Sequence, residues 1–145
     1  MTWSIRIPVR SYELDALGHL NHAVYHQYAE VARVEGFAAA GCAWDGLIAA
    51  GTAPVLLTST IHFRRELRAG DSVDVDLRIE FGPGKTFNAD STITLAEGAG
   101  GAEGAESTVS AEITCLLGVM DLGARRLLAD PQAVLAEHGL DVDKL

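Results

Sequence analysis

Apolar and polar residues alternate along most of this chain, and one stretch of helical period interrupts the alternation near its start. Residues 3–12 place Trp3, Ile5, Ile7 and Val9 on one side and Arg6 and Arg10 on the other, the pattern of a half-buried strand. Pro8 has no N–H to give to a ladder, so this strand is expected at an edge or a bulge. Between residues 22 and 40 the period changes. Tyr25, Tyr28, Ala29, Ala32 and Phe37 form an apolar stripe, widened by Val24 and Val31, while Gln27, Glu30 and Arg33 mark the polar side. Asn21 stands before the stripe as an N-cap and Gly41 after it as a stop. So wide a stripe suits a helix wrapped by other structure.

Alternation then returns. In residues 55–64, Val55, Leu57, Ile61 and Phe63 are expected to share a face. Residues 72–81 alternate almost without fault, with Val73, Val75, Leu77, Ile79 and Phe81 opposite Asp74, Asp76, Arg78 and Glu80. Gly82-Pro83-Gly84-Lys85 is a turn, and residues 86–95 complete the hairpin with Phe87, Ala89, Ile93 and Leu95. The Gly/Ala/Glu tract 97–106 has almost nothing to bury and reads as a mobile hairpin loop. Residues 107–120 form the last strand, with Val109, Ala111, Ile113, Cys115, Leu117 and Val119 inward. Residues 42–53 read as a loop or helical turn, and 130–139 as a short tail helix with Pro131 in its first turn. The order β-α-β-β-β-β predicts one α+β domain over 1–145, a sheet curled around a single long helix. Strands 72–81 and 107–119 are the candidates for pairing across a subunit boundary.

Composition narrows the function. A chain of 145 residues that is 48% apolar and 21% charged can bury one substantial core. Its net charge of −9 disfavours nucleic acid or an anionic membrane as partner. Arg64, Arg65, Arg68 and Lys85 leave room for a local basic spot suited to a phosphorylated ligand. Cys42 and Cys115 match no metal-ligand spacing and read as small buried hydrophobes. With no bilayer-length apolar run and no signal-like start, the expected location is the cytoplasm.

Candidate chemistry concentrates in residues 12–25, where one loop holds Asp15, Gly18, His19, Asn21 and His22 and opens onto the helix, with Tyr25 in its first turns. A carboxylate beside a helix N-terminus suits a reaction that builds negative charge on a carbonyl oxygen. Unpaired N–H groups stabilise the oxyanion while the acid attacks or activates water. The absence of a Gly-x-Ser-x-Gly elbow disfavours a serine triad, and no metal cluster is evident.

Asp15-x-x-Gly18-His19-x-Asn21 leading into Tyr25, Tyr28-x-Glu30-x-Ala32-Arg33 on the helix, and the segment 62–71 ending in Gly70-Asp71 together resemble the hotdog-fold acyl-CoA thioesterases of the 4-hydroxybenzoyl-CoA thioesterase-like family. The resemblance runs over about residues 3–121. It implies a hotdog fold of about five antiparallel strands around the helix, a homodimer or homotetramer, an acyl-CoA substrate and no cofactor. It further implies Asp15 as nucleophile or general base, and the amide of His22 as oxyanion donor. The His22 side chain would stand near the carbonyl and the acid, while His19 is open to orienting Asp15, acting on the leaving thiol or holding the loop through backbone hydrogen bonds. Gly18 keeps the loop tight and Asn21 completes the His-x-Asn pair. Read from the residues alone, Tyr25 is core first and pocket wall second, and charge offers Arg64, Arg65 or Lys85 to CoA phosphates. Leu14 departs from the family pattern, where many relatives carry a small polar residue. A non-catalytic acyl-CoA binder and a hotdog enoyl-CoA hydratase or dehydratase are the competing readings.

Overall fold

A computed structural model describes residues 2–96 and 108–145, so the tract 97–106 lies outside the described residues. The chain begins with β1 (Ser4–Pro8), shorter than the alternation suggested because the backbone turns into a 3-10 helix at Ser11–Glu13. The long helix α1 (His22–Ala39) follows, capped by Asn21, whose side chain accepts the Ala23 N–H. A short α2 (Trp44–Ala49) leads into β2 (Thr52–Phe63). Then come β3 (Ser72–Asp76), β4 (Arg78–Phe81), β5 (Thr86–Leu95), β6 (Thr108–Asp121) and β7 (Arg126–Leu127). The chain closes with α3 (Pro131–Glu137), its Asp130 cap accepting the Ala133 N–H, and a final 3-10 turn.

Among the described residues all seven strands belong to one antiparallel sheet with the order β1-β3-β5-β6-β2, to which β4 adds beside β5 and β7 beside β6. The expected α+β hotdog arrangement is present: α1 packs on the face formed by β1, β3, β5 and β6. Tyr25, Tyr28, Ala29, Ala32 and Phe37 are buried there against Val73, Val75, Leu77, Phe87, Ile93 and Ile113. Gly36 permits the close seat, since a Cβ in its place would stand 2.5 Å from the Leu77 side chain.

Several expectations need correction. Residues 72–81 are two strands in one register, because the Asp76 carboxylate takes the Thr92 N–H at 2.6 Å and breaks the ladder there. In β2 a bulge between Leu56 and Thr58 inserts one residue. Leu56 therefore pairs with Leu117 on the side that Ile61 and Phe63 share with Ile113 and Ala111, and Val55 faces the other way. Arg33 is not on a polar face. It is buried, its Nη1 donating to Cys115 Sγ at 3.3 Å. Of the segments proposed for pairing across subunits, 72–81 and the described residues of 107–119 run through the sheet interior, flanked on both sides by other strands except at β4; β1 and β2 end the strand order instead.

Candidate active site

The loop between β1 and α1 is closed at its neck by backbone bonds and turned at its tip by glycine. Leu14 and Leu20 form an isolated antiparallel bridge, and the Asp15 N–H donates to the His19 carbonyl at 2.7 Å. Gly18, with φ +78°, makes the tip, in a conformation that side chains rarely adopt. Two anchors hold the loop to the core. Leu20 is buried and gives its N–H to the Leu67 carbonyl at 2.7 Å. Glu13 accepts the Tyr28 hydroxyl at 2.7 Å and the Arg10 N–H at 2.9 Å through one carboxylate oxygen, while its carbonyl accepts the Asn21 N–H at 2.9 Å.

Within this frame Asp15 Oδ1 accepts the N–H groups of Leu17 at 2.9 Å and His19 at 3.1 Å. One oxygen therefore braces the turn, and the other, Oδ2, has no hydrogen-bond partner among the described residues. At the helix start, Asn21 Oδ1 takes the Ala23 N–H and the Asn21 carbonyl takes the Val24 N–H, both at 2.9 Å. The His22 N–H finds no acceptor among the described residues and remains a donor at the positive end of the helix.

Asp15 and His22 both line one cleft of about 340 Å³, together with His19, Leu20, Tyr25, Phe63, Arg64, Arg65 and Glu66. Phe63 meets Tyr25 edge-on, ring centres 5.1 Å apart. Burial pushes the Tyr25 hydroxyl above the usual tyrosine range; its hydrogen bond to Ser110 opposes that, and the charges of Glu66 and Asp15 add to it. The phenol is thus held neutral, as a polar wall. Arg64 is engaged by Glu112 at 2.8 Å, whereas Arg65 has no carboxylate within 4.0 Å among the described residues.

Of the residues singled out from the sequence, Asp15, His19, His22, Tyr25, Arg64 and Arg65 come together on this cleft. Gly18 and Asn21 do not line it; they shape the loop and the helix start behind it. Leu20, Phe63 and Glu66 were not anticipated. Leu20 and Phe63 look like ordinary core alternation, and Glu66 sits in an arginine-rich run that reads as solvated charge. Among the described residues no group of three His, Cys, Asp or Glu side chains is placed to hold a metal ion.

Comparison with known proteins agrees with this architecture. The thioesterase-like superfamily model matches residues 9–138. The chain is 36% identical over 75 residues to the chloroplastic acyl-acyl carrier protein thioesterase ATL3 of Arabidopsis thaliana, covering 52% of this chain and 40% of that protein. The chain thus spans well under half the length of that curated relative. Among solved structures it is similar to a 1,4-dihydroxy-2-naphthoyl-CoA thioesterase from Synechocystis, with a TM-score of 0.78 at 21% identity over 99% of this chain and 98% of that one. It is also similar to a Staphylococcus aureus protein solved in complex with CoA, with a TM-score of 0.77 at 18% identity, covering 95% and 83%. At these identities the structural likeness establishes the hotdog fold, and the family match over residues 9–138 establishes membership. The chain belongs to the thioesterase-like superfamily.

Proposed function

We propose that this protein hydrolyses an acyl-CoA to a free carboxylic acid and CoA. The observation that carries the reading is the pairing of a half-committed carboxylate, Asp15, with an unpaired helix-start amide, His22 N–H, near one cleft. Asp15 acts through Oδ2 as nucleophile or as base for water, and the His22 amide receives the negative charge that grows on the thioester oxygen. Removing one such donor costs about 10²–10³ in rate in other hydrolases, so a single well-placed amide matters. The side chains of His22 and His19 line the same space, and Tyr25 with Phe63 walls it for the acyl group. Arg65, without a carboxylate partner among the described residues, is the better placed of the two arginines to meet a CoA phosphate.

The working form is a homo-oligomer. β2 ends the strand order, and apolar side chains along it stay in water: Leu56 and Leu57 at 47% exposure and Phe63 at 54%. A second copy would cover them. Light scattering after size exclusion is expected to give a dimer or tetramer, and a monomer at assay concentration would remove this part of the proposal.

Release of free thiol from short, long and aromatic acyl-CoAs tests the activity. Similarity to ATL3 favours a second reading, in which the acyl group arrives on a carrier protein, so acyl carrier protein thioesters belong in the same panel. Thiol release by wild type and its loss in Asp15→Asn support hydrolysis. Tight acyl-CoA binding with no release points to a non-catalytic binder, and hydration of an enoyl-CoA without CoA release to a hydratase.

A further inference from the structure

We propose that Glu66 is a positioning residue that presents the His19 imidazole to the leaving sulfur; this rests on the hydrolase reading above. His19 hangs between two acids. Its backbone N–H and carbonyl are bound to Asp15, at 3.1 Å to Oδ1 and 2.7 Å to the Asp15 N–H. Its ring Nε2 lies 3.8 Å from Glu66 Oε1, and both side chains line the cleft.

Glu66 does not owe its place to chance on a loose surface. On one side of it, the N–H groups of Arg64 and Arg65 donate to the Ser110 carbonyl at 2.8 and 3.0 Å, and the Ser110 hydroxyl donates to the Arg65 carbonyl at 2.7 Å. On the other side the Leu67 carbonyl receives the Leu20 N–H, and Leu67 is buried. The backbone carrying Glu66 is therefore tied to the strand behind it and to the loop that carries His19. Arg68 donates to the same Oε1 at 3.4 Å and braces the carboxylate from outside. The other titratable or charged groups lining the cleft are Asp15 on the loop of His19, His22 and Tyr25 on α1, and Arg64 and Arg65 after β2.

With Nε2 turned to Glu66, Nδ1 is the ring nitrogen left for substrate. In hydrolysis, water adds its hydroxide to the acyl carbon and gives its proton to Asp15. Asp15 passes that proton through solvent to the free Nδ1 of His19; the C–S bond then breaks with its electron pair on sulfur, and Nδ1 gives the proton to that sulfur, leaving Asp15 ionised and His19 neutral. Glu66 never touches the reacting atoms; it sets the ring that does.

A double-mutant cycle with a change of leaving group tests this. His19→Asn is expected to lower kcat on an alkyl acyl-CoA by about 10²-fold. Glu66→Gln is expected to lower it by about tenfold with KM within about twofold, and Glu66→Asp to recover part of the loss. In the His19→Asn background, Glu66→Gln is expected to change nothing further. With an aryl thioester, whose thiolate departs without a proton, both defects are expected to shrink. Equal loss from Glu66→Gln with and without His19, or an undiminished loss on the aryl thioester, overturns the proposal. Asp15→Asn on the same substrates separates the two readings. If it abolishes turnover while Glu66 fails the cycle, hydrolysis stands and the Glu66 role falls. If wild type releases no thiol, both fall.

Discussion

Asp15 and His19 hold each other through two reciprocal bonds, the Asp15 N–H to the His19 carbonyl at 2.7 Å and the His19 N–H to Asp15 Oδ1 at 3.1 Å. The second bond gives the carboxylate a structural task alongside the chemical one proposed for it, and the two tasks use different oxygens. Substitutions at this position can therefore separate folding from turnover.

Asp15→Asn keeps an oxygen that accepts the Leu17 and His19 N–H groups, so its melting temperature should stay within a few degrees of wild type while thiol release falls by at least about 10²-fold. Asp15→Ala removes both acceptors, and should lose activity together with about 1–2 kcal/mol of stability in a denaturant titration. Full turnover in the asparagine variant would remove Asp15 from the chemistry.

Arg65→Ala should raise KM for acyl-CoA with kcat little changed, because a phosphate contact is made equally in ground and transition states. Arg64→Ala should have the smaller effect, since Glu112 already holds that guanidinium at 2.8 Å. Steady-state kinetics with intact acyl-CoA and with a truncated thioester lacking the phosphates checks the assignment: the difference between the variants should vanish on the truncated substrate.

Asn21→Ala removes the cap on the Ala23 N–H and is expected to cost about 1 kcal/mol, with Asn21→Asp or Asn21→Ser restoring most of it. The helix start also positions the His22 amide, so kcat should fall with the alanine substitution and recover with either replacement cap. Thermal melts and thiol release on the same three proteins settle the comparison.

Tyr28 ties α1 to the turn before the loop that carries Asp15 through Glu13. Burial raises its hydroxyl well above the ordinary tyrosine range, and the hydrogen bond to Glu13 and the Glu13 charge raise it further. A raised folded-state value means that the stabilisation is fully present below about pH 10, where an unfolded tyrosine titrates, and is lost as pH climbs towards the folded value. Tyr28→Phe should cost about 1 kcal/mol near neutrality, and the gap to wild type should close above about pH 10 in melts followed across that range.

Much of this molecule follows from local pattern. The period of Tyr25, Tyr28, Ala29, Ala32 and Phe37 makes a helix whichever sheet receives it, and Asn21 and Gly41 bound it, because caps act within a turn. The hairpin of residues 72–95 follows from alternation and the turn at residues 82–85 for the same reason. The loop carrying Asp15, His19 and His22 is also legible, since its members are neighbours in the chain. What only the tertiary structure decided is whatever depends on distant partners. Arg33 occupies a position that helical spacing labels polar, yet the sheet closes over it and leaves Cys115 as its acceptor. The Leu57 bulge appears only when β2 is laid against β6, where one residue has no opposite number and the faces exchange. Glu66 joins His19 only because Ser110, far along the chain, and Leu20, in the loop that carries Asp15, fix the backbone on either side of it. Alternation and capping are properties of a few consecutive residues, whereas a cleft is made where segments remote in sequence are pinned together by hydrogen bonds that no local pattern announces.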